Sequence, residues 1–225
     1  MSWRIFERAA EGYEAWYATG RGRRVDEAER ALLAWLLAAF AAARSVLDVG
    51  CGTGHFAAWL RSRALDVIGL DRSPAMLAEL RRHHAAIPLV VGDAGCLPVR
   101  AGAVDVALLV TTLEFVERPE AALTEAVRVA RQGVVLVVLN RWSLGGLSRR
   151  IGPQARGPIL GCAKDTSLFA LRRMVRAAAG DRLQSLRWAS SLFPDGLWAA
   201  RGRAPVGDVI GMAAVLAPTV RPGQP

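Results

Sequence analysis

Cysteine and histidine are both scarce in this sequence, with three of each among 225 residues. The cysteines Cys51, Cys96 and Cys162 stand far apart, without a CxxC pair and without histidines at ligand spacing. These absences argue against a structural metal site and against a disulfide framework. We therefore expect no bound metal and a reducing compartment.

Long hydrophobic stretches are also missing. The longest apolar run covers residues 31–43, whereas a membrane-spanning helix needs about 20 such residues. Residues 1–14 carry acidic side chains and have no apolar stretch after a basic end, unlike a secretory signal peptide. We expect a cytoplasmic protein without a membrane span.

Lysine is almost absent, since Lys164 is the only one although Lys and Arg together number 29. The resulting net charge of +9 could favour binding to nucleic acid or to membrane headgroups. The arginine pairs, such as Arg23-Arg24 and Arg172-Arg173, are nevertheless scattered along the chain rather than gathered in one block. We expect a solvated, arginine-rich surface, with contact to a polyanion as the alternative.

Short apolar runs alternate with amphipathic stretches in the middle of the chain. Strands that are apolar on both faces and joined by helices predict a doubly wound α/β fold with a mostly parallel sheet. An antiparallel edge pair near the C terminus would complete a seven-stranded sheet. The predicted strands are residues 45–49, 66–71, 89–93, 104–110, 134–139, 183–188 and 197–200.

One domain over residues 1–225 is expected, because neither a long linker nor an internal repeat interrupts the chain. Two helices are predicted in the N-terminal part, with a break at Gly20 and Gly22. Asp26 is the predicted N-cap of the second helix, with Glu29 three residues on, as in a capping box. The predicted parts are an N-terminal helical cap (1–43), a cofactor-binding core (44–140), a substrate-side insert with the final strands (141–215) and a loose tail (216–225).

A glycine-rich turn follows the first predicted strand. It begins at Asp48 and has glycines at 50, 52 and 54, directly before a helix. The third glycine comes one residue too early for a dinucleotide fingerprint. An acid ahead of the turn suits a ligand with an amine and a sulfonium better than a pyrophosphate. An ordinary turn between strand and helix is the alternative.

Two further acids end the next two predicted strands. Asp71 stands where a carboxylate can accept hydrogen bonds from ribose hydroxyls, or where it can cap the next helix. Asp93 could accept a hydrogen bond from an adenine amino group, or be a plain turn residue. Because the carboxyl ends of parallel strands meet in one crevice, these strand ends together predict a nucleoside site.

Residues 45–140 resemble the class I S-adenosylmethionine-dependent methyltransferases, in particular the group similar to ubiquinone and menaquinone C-methyltransferases, with a methyltransferase type 11 domain. The resemblance implies a Rossmann-like fold, S-adenosylmethionine as cofactor and S-adenosylhomocysteine as product. It extends to the opening residues and to the stretch 167–180. The matching segments are VLDVGCGTGHFAAWL, VIGLDRSPAML, VVGDAGCLPV, VDVALLVTTLEFVERPEAAL and VVLVVLN.

The resemblance implies specific contacts to the two ends of the cofactor. Gly50 and Gly52 would face its methionine moiety, with Asp48 and Cys51 in the same turn. Asp71 would hold the ribose.

Further contacts are implied around the adenosine and the methyl group. Arg72 would flank the adenosine, and Asp93 with Ala94 would hold the adenine. Thr111 would line the methyl-transfer face. Tyr13 would close over the site, unless it is simply a core residue.

The sequence departs from the family pattern at Glu114 and Phe115, where many relatives have one or two histidines. Glu114 is the candidate catalytic residue, a general base if an apolar pocket raises its pKa. It could equally orient the substrate or begin the next helix.

Methyl transfer from a sulfonium chiefly requires alignment of donor and acceptor. Apolar residues of the insert predict an apolar pocket for a small organic acceptor. RNA or protein methylation is the first alternative, although no nucleic-acid-binding module accompanies the charge. A non-catalytic cofactor-binding protein is the second, and the sequence predicts no oligomeric state. The insert residues are Trp142, Leu144, Leu147, Ile151 and Leu160.

Overall fold

The computed structural model describes residues 3–151, 159–192 and 204–218, and side chains of residues 148–151 are not described. The strands are β1 (Ser45–Val49), β2 (Asp66–Asp71), β3 (Leu89–Val91), β4 (Val104–Val110), β5 (Ala130–Leu139), β6 (Leu183–Ser191) and β7 (Val209–Leu216). The helices are α1 (Arg4–Tyr13), α2 (Gly20–Leu37), α3 (His55–Arg61), α4 (Pro74–His83), α5 (Pro119–Val129), α6 (Leu144–Ile151) and α7 (Leu168–Ala179).

The strands form one seven-stranded sheet in the order β3-β2-β1-β4-β5-β7-β6. The first five strands in this order are parallel, and β7 runs antiparallel to both β5 and β6. This confirms the predicted doubly wound sheet with an antiparallel C-terminal edge. No helix in the described ranges has the length and apolar character that crossing a membrane requires.

Strand residues alternate between two hydrophobic layers, because successive side chains point to opposite faces. Leu47 and Ala107 join the layer formed with α5 and α7. Val46 and Val106 join the layer formed with α2, α3 and α4. Both faces of the central strands are therefore buried, which explains their nearly continuous apolar sequence.

The last strand differs from the prediction. The predicted strand 197–200 lies outside the described residues, and so do residues 219–225 of the predicted tail. The strand beside β5 is β7, an apolar run in which Val209, Ile210 and Val215 are β-branched. Gly211 fits there because a Cβ atom would lie 2.7 Å from Leu36 Cδ1 of α2. The apolar sequence of β7, which the prediction overlooked, fits a buried strand that is paired on both sides.

The second helix begins earlier than predicted. Asp26 is not its N-cap, because Thr19 precedes the helix and its side chain accepts a hydrogen bond from the Gly22 amide at 2.9 Å. Only glycine fits at position 22, because a Cβ atom there would lie 2.0 Å from the Trp16 carbonyl oxygen. The two glycines therefore lie in the first turn of α2 instead of breaking it.

Asp105 ties together the amino ends of three neighbouring strands. Its carboxylate accepts hydrogen bonds from the Arg44 amide at 2.9 Å, the Ser45 amide at 3.0 Å and Arg131 Nη2 at 2.8 Å. Although burial opposes the shift, these bonds lower the pKa of Asp105 well below its usual range. The charged form of Asp105 therefore stabilises the fold.

We expect Asp105→Asn to lower the free energy of unfolding by about 2–3 kcal/mol near neutral pH, because charge-assisted bonds are lost. Since the folded pKa is depressed, this contribution is present above the unfolded pKa and disappears as the pH falls through the folded value. Urea unfolding at several pH values measures it. Asp66→Asn, an exposed position at the start of β2, is the control, and equal losses in both variants would contradict the assignment.

Candidate cofactor and acceptor site

A cavity of about 860 Å³ opens at the carboxyl ends of the central strands, beneath the N-terminal helices. Its volume is in the range of small-molecule sites, about 300–1,000 Å³. Nine of the ten cofactor residues expected from the sequence line it. They are Tyr13, Gly50, Cys51, Gly52, Asp71, Arg72, Asp93, Ala94 and Thr111.

The glycine turn is held open toward this cavity. Gly50 and Gly52 have φ angles of +76° and +55°, in the region that favours glycine. The Gly50 and Cys51 amides donate to the Leu70 carbonyl at 2.7 and 3.0 Å, which fixes the turn against β2. A Cβ atom at Gly52 would meet no other atom within 4 Å. The space over Gly52 is therefore free for a ligand.

Asp71 links the glycine turn to α4. Its Oδ2 accepts from the Gly52 amide at 2.9 Å, and its Oδ1 accepts from the Ser73 amide at 2.8 Å. Burial raises the pKa of Asp71, against the effect of these backbone bonds. Each carboxylate oxygen keeps further acceptor capacity toward the cavity.

Asp93 and Arg72 form the rim of the cavity. Arg72 Nη1 lies 3.1 Å from Asp93 Oδ2, and the Gly95 amide donates to Asp93 Oδ1 at 2.8 Å. The Arg72 guanidinium also lies 5.4 Å from the centre of the Trp3 ring, within the range of a cation–π contact. The start of α1 thus reaches the side of the cavity where an adenine is expected.

Asp48 is the one expected cofactor residue that does not line the cavity. It lies inside β1 and is buried. Burial, followed by repulsion from Asp71, raises the pKa of Asp48 to about 7. Asp48 can therefore act on a bound ligand only through its charge or through the turn it precedes.

Glu114 lies away from the cavity lining, and only 1% of its surface is exposed. Its Oε1 accepts a hydrogen bond from the Leu139 amide, at the end of β5. The Lys164 amide donates to its main-chain carbonyl at 3.1 Å. This carboxylate oxygen therefore faces the main chain of β5, and the catalytic role of Glu114 stays a prediction.

The N-terminal cap is attached to the glycine turn through His55, a contact that the sequence did not predict. His55 Nδ1 lies 3.3 Å from Glu14 Oε2, and its Nε2 lies 2.7 Å from Asp26 Oδ1. Tyr17 stacks on the imidazole at 3.6 Å between ring centres. Thr53 donates to Glu14 as well. One histidine beside the glycine turn thus connects α3 to both N-terminal segments.

A second attachment holds α1 against α4. Glu7 Oε1 accepts from Ser73 Oγ at 2.5 Å and from the Ala75 amide at 3.3 Å, at the amino end of α4. A carboxylate at that position also interacts favourably with the helix dipole. Phe6 of α1 meets Phe115 edge to face, with 4.9 Å between ring centres. The cap therefore closes the cavity from above.

His55 should control how tightly this cap is held. Burial lowers the pKa of His55, but the hydrogen bonds to Glu14 and Asp26 outweigh this effect and raise the pKa above 6.5. The stabilising contribution is thus complete below pH 6.5 and is lost as the pH rises through the folded value. We expect His55→Gln to increase hydrogen exchange of residues 4–37 selectively, when protection factors are measured below pH 6.5.

His83→Gln is the matched control, since His83 is exposed at the end of α4. Uniform loss of protection across the sheet, or no change in the cap, would contradict this role. Wild-type protection of the cap should also decrease at alkaline pH, whereas that of the variant should depend less on pH.

The remaining wall of the cavity is apolar and aromatic, but the insert forms less of it than predicted. Leu160 lines the cavity, whereas Trp142 and Leu144 are 64% and 65% exposed and do not. Leu147 is exposed too, and the side chain of Ile151 is not described. The apolar lining includes Phe6, Ala9, Trp16, Phe115, Val116, Ile159, Leu160, Leu192 and Val209.

Comparison with known proteins agrees with this geometry. Residues 47–138 match a protein family described as "Methyltransferase domain". The match spans less than half of the chain and supports a class I methyltransferase domain over these residues. This confirms the resemblance inferred from the sequence, and the cofactor used by this family is S-adenosylmethionine.

Two curated relatives match this part of the chain. The chain is 38% identical over 106 residues to malonyl-[acyl-carrier protein] O-methyltransferase from Pectobacterium atrosepticum, across 46% of this chain. It is 39% identical over 93 residues to demethylmenaquinone methyltransferase from Beutenbergia cavernae, across 41% of this chain. The chain covers only 42% and 39% of the lengths of these relatives.

A solved structure is similar over nearly the whole chain. It is an S-adenosylmethionine-dependent methyltransferase from Thermotoga maritima, described as a possible histamine N-methyltransferase. The TM-score is 0.75 with 26% identity, over 96% of this chain and 99% of that one. The similarity in fold therefore extends over the N-terminal cap and the antiparallel edge.

Proposed function

We propose that this protein transfers a methyl group from S-adenosylmethionine to a small organic acceptor with apolar character. The observation that carries the proposal is that nine of the ten expected cofactor residues and an apolar, partly aromatic wall line the same cavity. A donor at the strand ends and an acceptor against that wall would lie side by side, as methyl transfer requires.

The residues present fit the cofactor. The free space over Gly52 would receive its methionine moiety, where a side chain of any other residue would intrude. Asp71 would accept the ribose hydroxyls at the end of β2. Asp93 and Ala94, with Arg72 beside them, would hold the adenine. The bound cofactor supplies a methyl group that its sulfonium has already activated.

The residues of this chain would then bind the cofactor and the acceptor, orient them, and exclude water from the cavity. Tyr13 and Phe6 close the cavity from the cap, and Phe115 meets Phe6 from the core. Thr111 adopts a positive φ of 50° at the end of β4 and lines the cavity where the methyl group would be transferred. Exclusion of water strengthens electrostatic contacts to the sulfonium and aligns the acceptor.

The names of the similar proteins differ in the acceptor atom. One is an O-methyltransferase of malonyl-[acyl-carrier protein], one acts on demethylmenaquinone and one is a possible histamine N-methyltransferase. Their names therefore favour no single atom for this chain. The partly enclosed cavity and its aromatic wall support a small acceptor over RNA or protein.

Methyl-labelled S-adenosylmethionine tests the proposal, with amines, phenols, thiols and quinols offered as acceptors. We expect label to appear on at least one small acceptor, with S-adenosylhomocysteine formed in equal amount. Label transferred only to RNA or protein would refute the small acceptor. Tight binding of S-adenosylhomocysteine without any transfer would indicate the non-catalytic alternative.

A further inference from the structure

One acid in the cavity has no role in the cofactor site. Glu29 lies in α2, is only 7% exposed, and lines the cavity. Its carboxylate makes no hydrogen bond or ion pair with any residue in the described part of the chain. The sequence suggested only that Glu29 supports an N-cap, a role that disappears because α2 begins at Gly20.

A buried carboxylate without a partner is costly. Burial is the main cause that raises the pKa of Glu29 to about 8, with a further contribution from Asp26. At neutral pH a proton therefore occupies this group in place of a counter-ion. A cationic ligand could displace that proton and take its position.

The surroundings of Glu29 favour a cation over an anion. Of the nearby basic groups, Arg30 binds Asp26 at 2.7 Å and His55 lies between Glu14 and Asp26. Arg8 and Arg21 also line the cavity, but the charges that shift the pKa of Glu29 are those of Asp26, His55 and Glu114. Glu114 adds further negative potential, which also raises the pKa of Glu29. The titratable groups that interact electrostatically with Glu29 are Tyr13, Tyr17, Asp26, His55 and Glu114.

Aromatic side chains complete this end of the cavity. Tyr13 and Tyr17 lie near each other, with 6.3 Å between ring centres, and Trp16 meets Tyr17 at 5.0 Å. All three line the cavity with Glu29. Aromatic faces around an acid attract an ammonium group through cation–π interactions. A carboxylate acceptor would be repelled there. An alcohol would form only one hydrogen bond to Glu29, either to its protonated form or to its carboxylate.

We propose that Glu29 binds the amino group of the acceptor, so that the acceptor is a small amine with an apolar or aromatic body. This inference rests on the proposed methyl transfer and deepens it. The acceptor ammonium would give one proton to the Glu29 carboxylate, which leaves a nitrogen lone pair for attack.

The bonds and charges of this step balance. The nitrogen forms a bond to the methyl carbon, the carbon–sulfur bond breaks, and its electron pair stays on sulfur as a thioether. The product amine carries the positive charge, and the proton on Glu29 passes to water. Glu29 thus serves as both anchor and base.

Calorimetry of the full chain tests the proposal, with and without saturating S-adenosylhomocysteine. The probes are benzylamine, 2-phenylethylamine and tryptamine, each compared with its matched alcohol, and 3-phenylpropionate as the anion. We expect at least one amine to bind clearly more tightly than its alcohol, and the anion not to bind. Glu29→Gln should weaken amine binding about 30-fold or more, as expected for loss of a buried charge partner.

Proton release gives a readout that a purely structural role would not change. Near pH 7, binding of an ammonium group must remove the proton from Glu29. Calorimetric titrations in buffers with different ionisation enthalpies should therefore show the release of close to one proton for each amine bound. Glu29→Gln should show none, and Glu27→Gln, at an exposed position of the same helix, should behave like the wild type.

Two failures are distinguishable. If S-adenosylhomocysteine does not bind, the proposed methyl transfer fails. If it binds but no amine binds better than its alcohol, or if Glu29→Gln binds amines as well as the wild type, only the role of Glu29 is overturned.

Discussion

Replacing Gly52 with valine is expected to weaken binding of S-adenosylhomocysteine roughly 100-fold or more, a loss of about 2.7 kcal/mol, while the chain stays folded. The new side chain would project into space that contains no protein atom within 4 Å. It therefore occupies the room proposed for the ligand and displaces nothing in the core. Equilibrium dialysis with labelled ligand measures the affinity, and circular dichroism monitors the fold.

Gly180→Val is the matched control for backbone strain. Gly180 also has a positive φ, +50°, and a Cβ atom there would meet nothing within 4 Å, but it follows α7 and does not line the cavity. Each variant is expected to lose about 1–2 kcal/mol of stability through backbone strain. Only Gly52→Val should lose the ligand. Unchanged binding in Gly52→Val would contradict the proposed position of the methionine moiety.

Replacing Glu29 with glutamine should stabilise the protein at alkaline pH. The folded pKa of Glu29 is raised from 4.5 to about 8, so the folded state retains a proton that the unfolded chain releases. Wild-type stability must then fall as the pH rises through this window, by up to about 5 kcal/mol from this group. Glutamine does not ionise, so the variant avoids that loss. Urea unfolding at a series of pH values measures the difference.

Glu27→Gln serves as the control, because Glu27 is exposed on the same helix. The Glu29→Gln and wild-type unfolding energies should diverge between pH 4.5 and about 8, and the Glu27→Gln curve should run parallel to the wild type. Parallel curves for all three proteins would show that Glu29 ionises as freely in the folded state as in the unfolded chain.

The sequence predicted the sheet and the cofactor end of the cavity because their signals are local. Each of the first five strands is a short apolar run, and Asp71 and Asp93 directly follow such runs. Positive φ angles at Gly50 and Gly52 explain why glycines mark the turn. The topology of a parallel sheet then brings these strand ends together without further information.

The contacts between distant segments could not be predicted in this way. His55 meets Glu14 and Asp26, which precede it by 41 and 29 residues, and nothing in the local sequence links them. β7 pairs with β5 and β6, one on each side. Glu29 lies in a charged stretch beside Glu27 and Arg30, whereas Glu114 lies among apolar residues, and only the fold shows which of the two faces the cavity.

The most direct test of the account is a calorimetric titration of the full chain with S-adenosylhomocysteine. We predict saturable binding of one ligand per chain, weakened by Asp71→Asn. Absence of any binding heat over several temperatures, in a chain that circular dichroism shows to be folded, would contradict the claim that the strand ends at Gly50, Asp71 and Asp93 bind one adenosyl ligand.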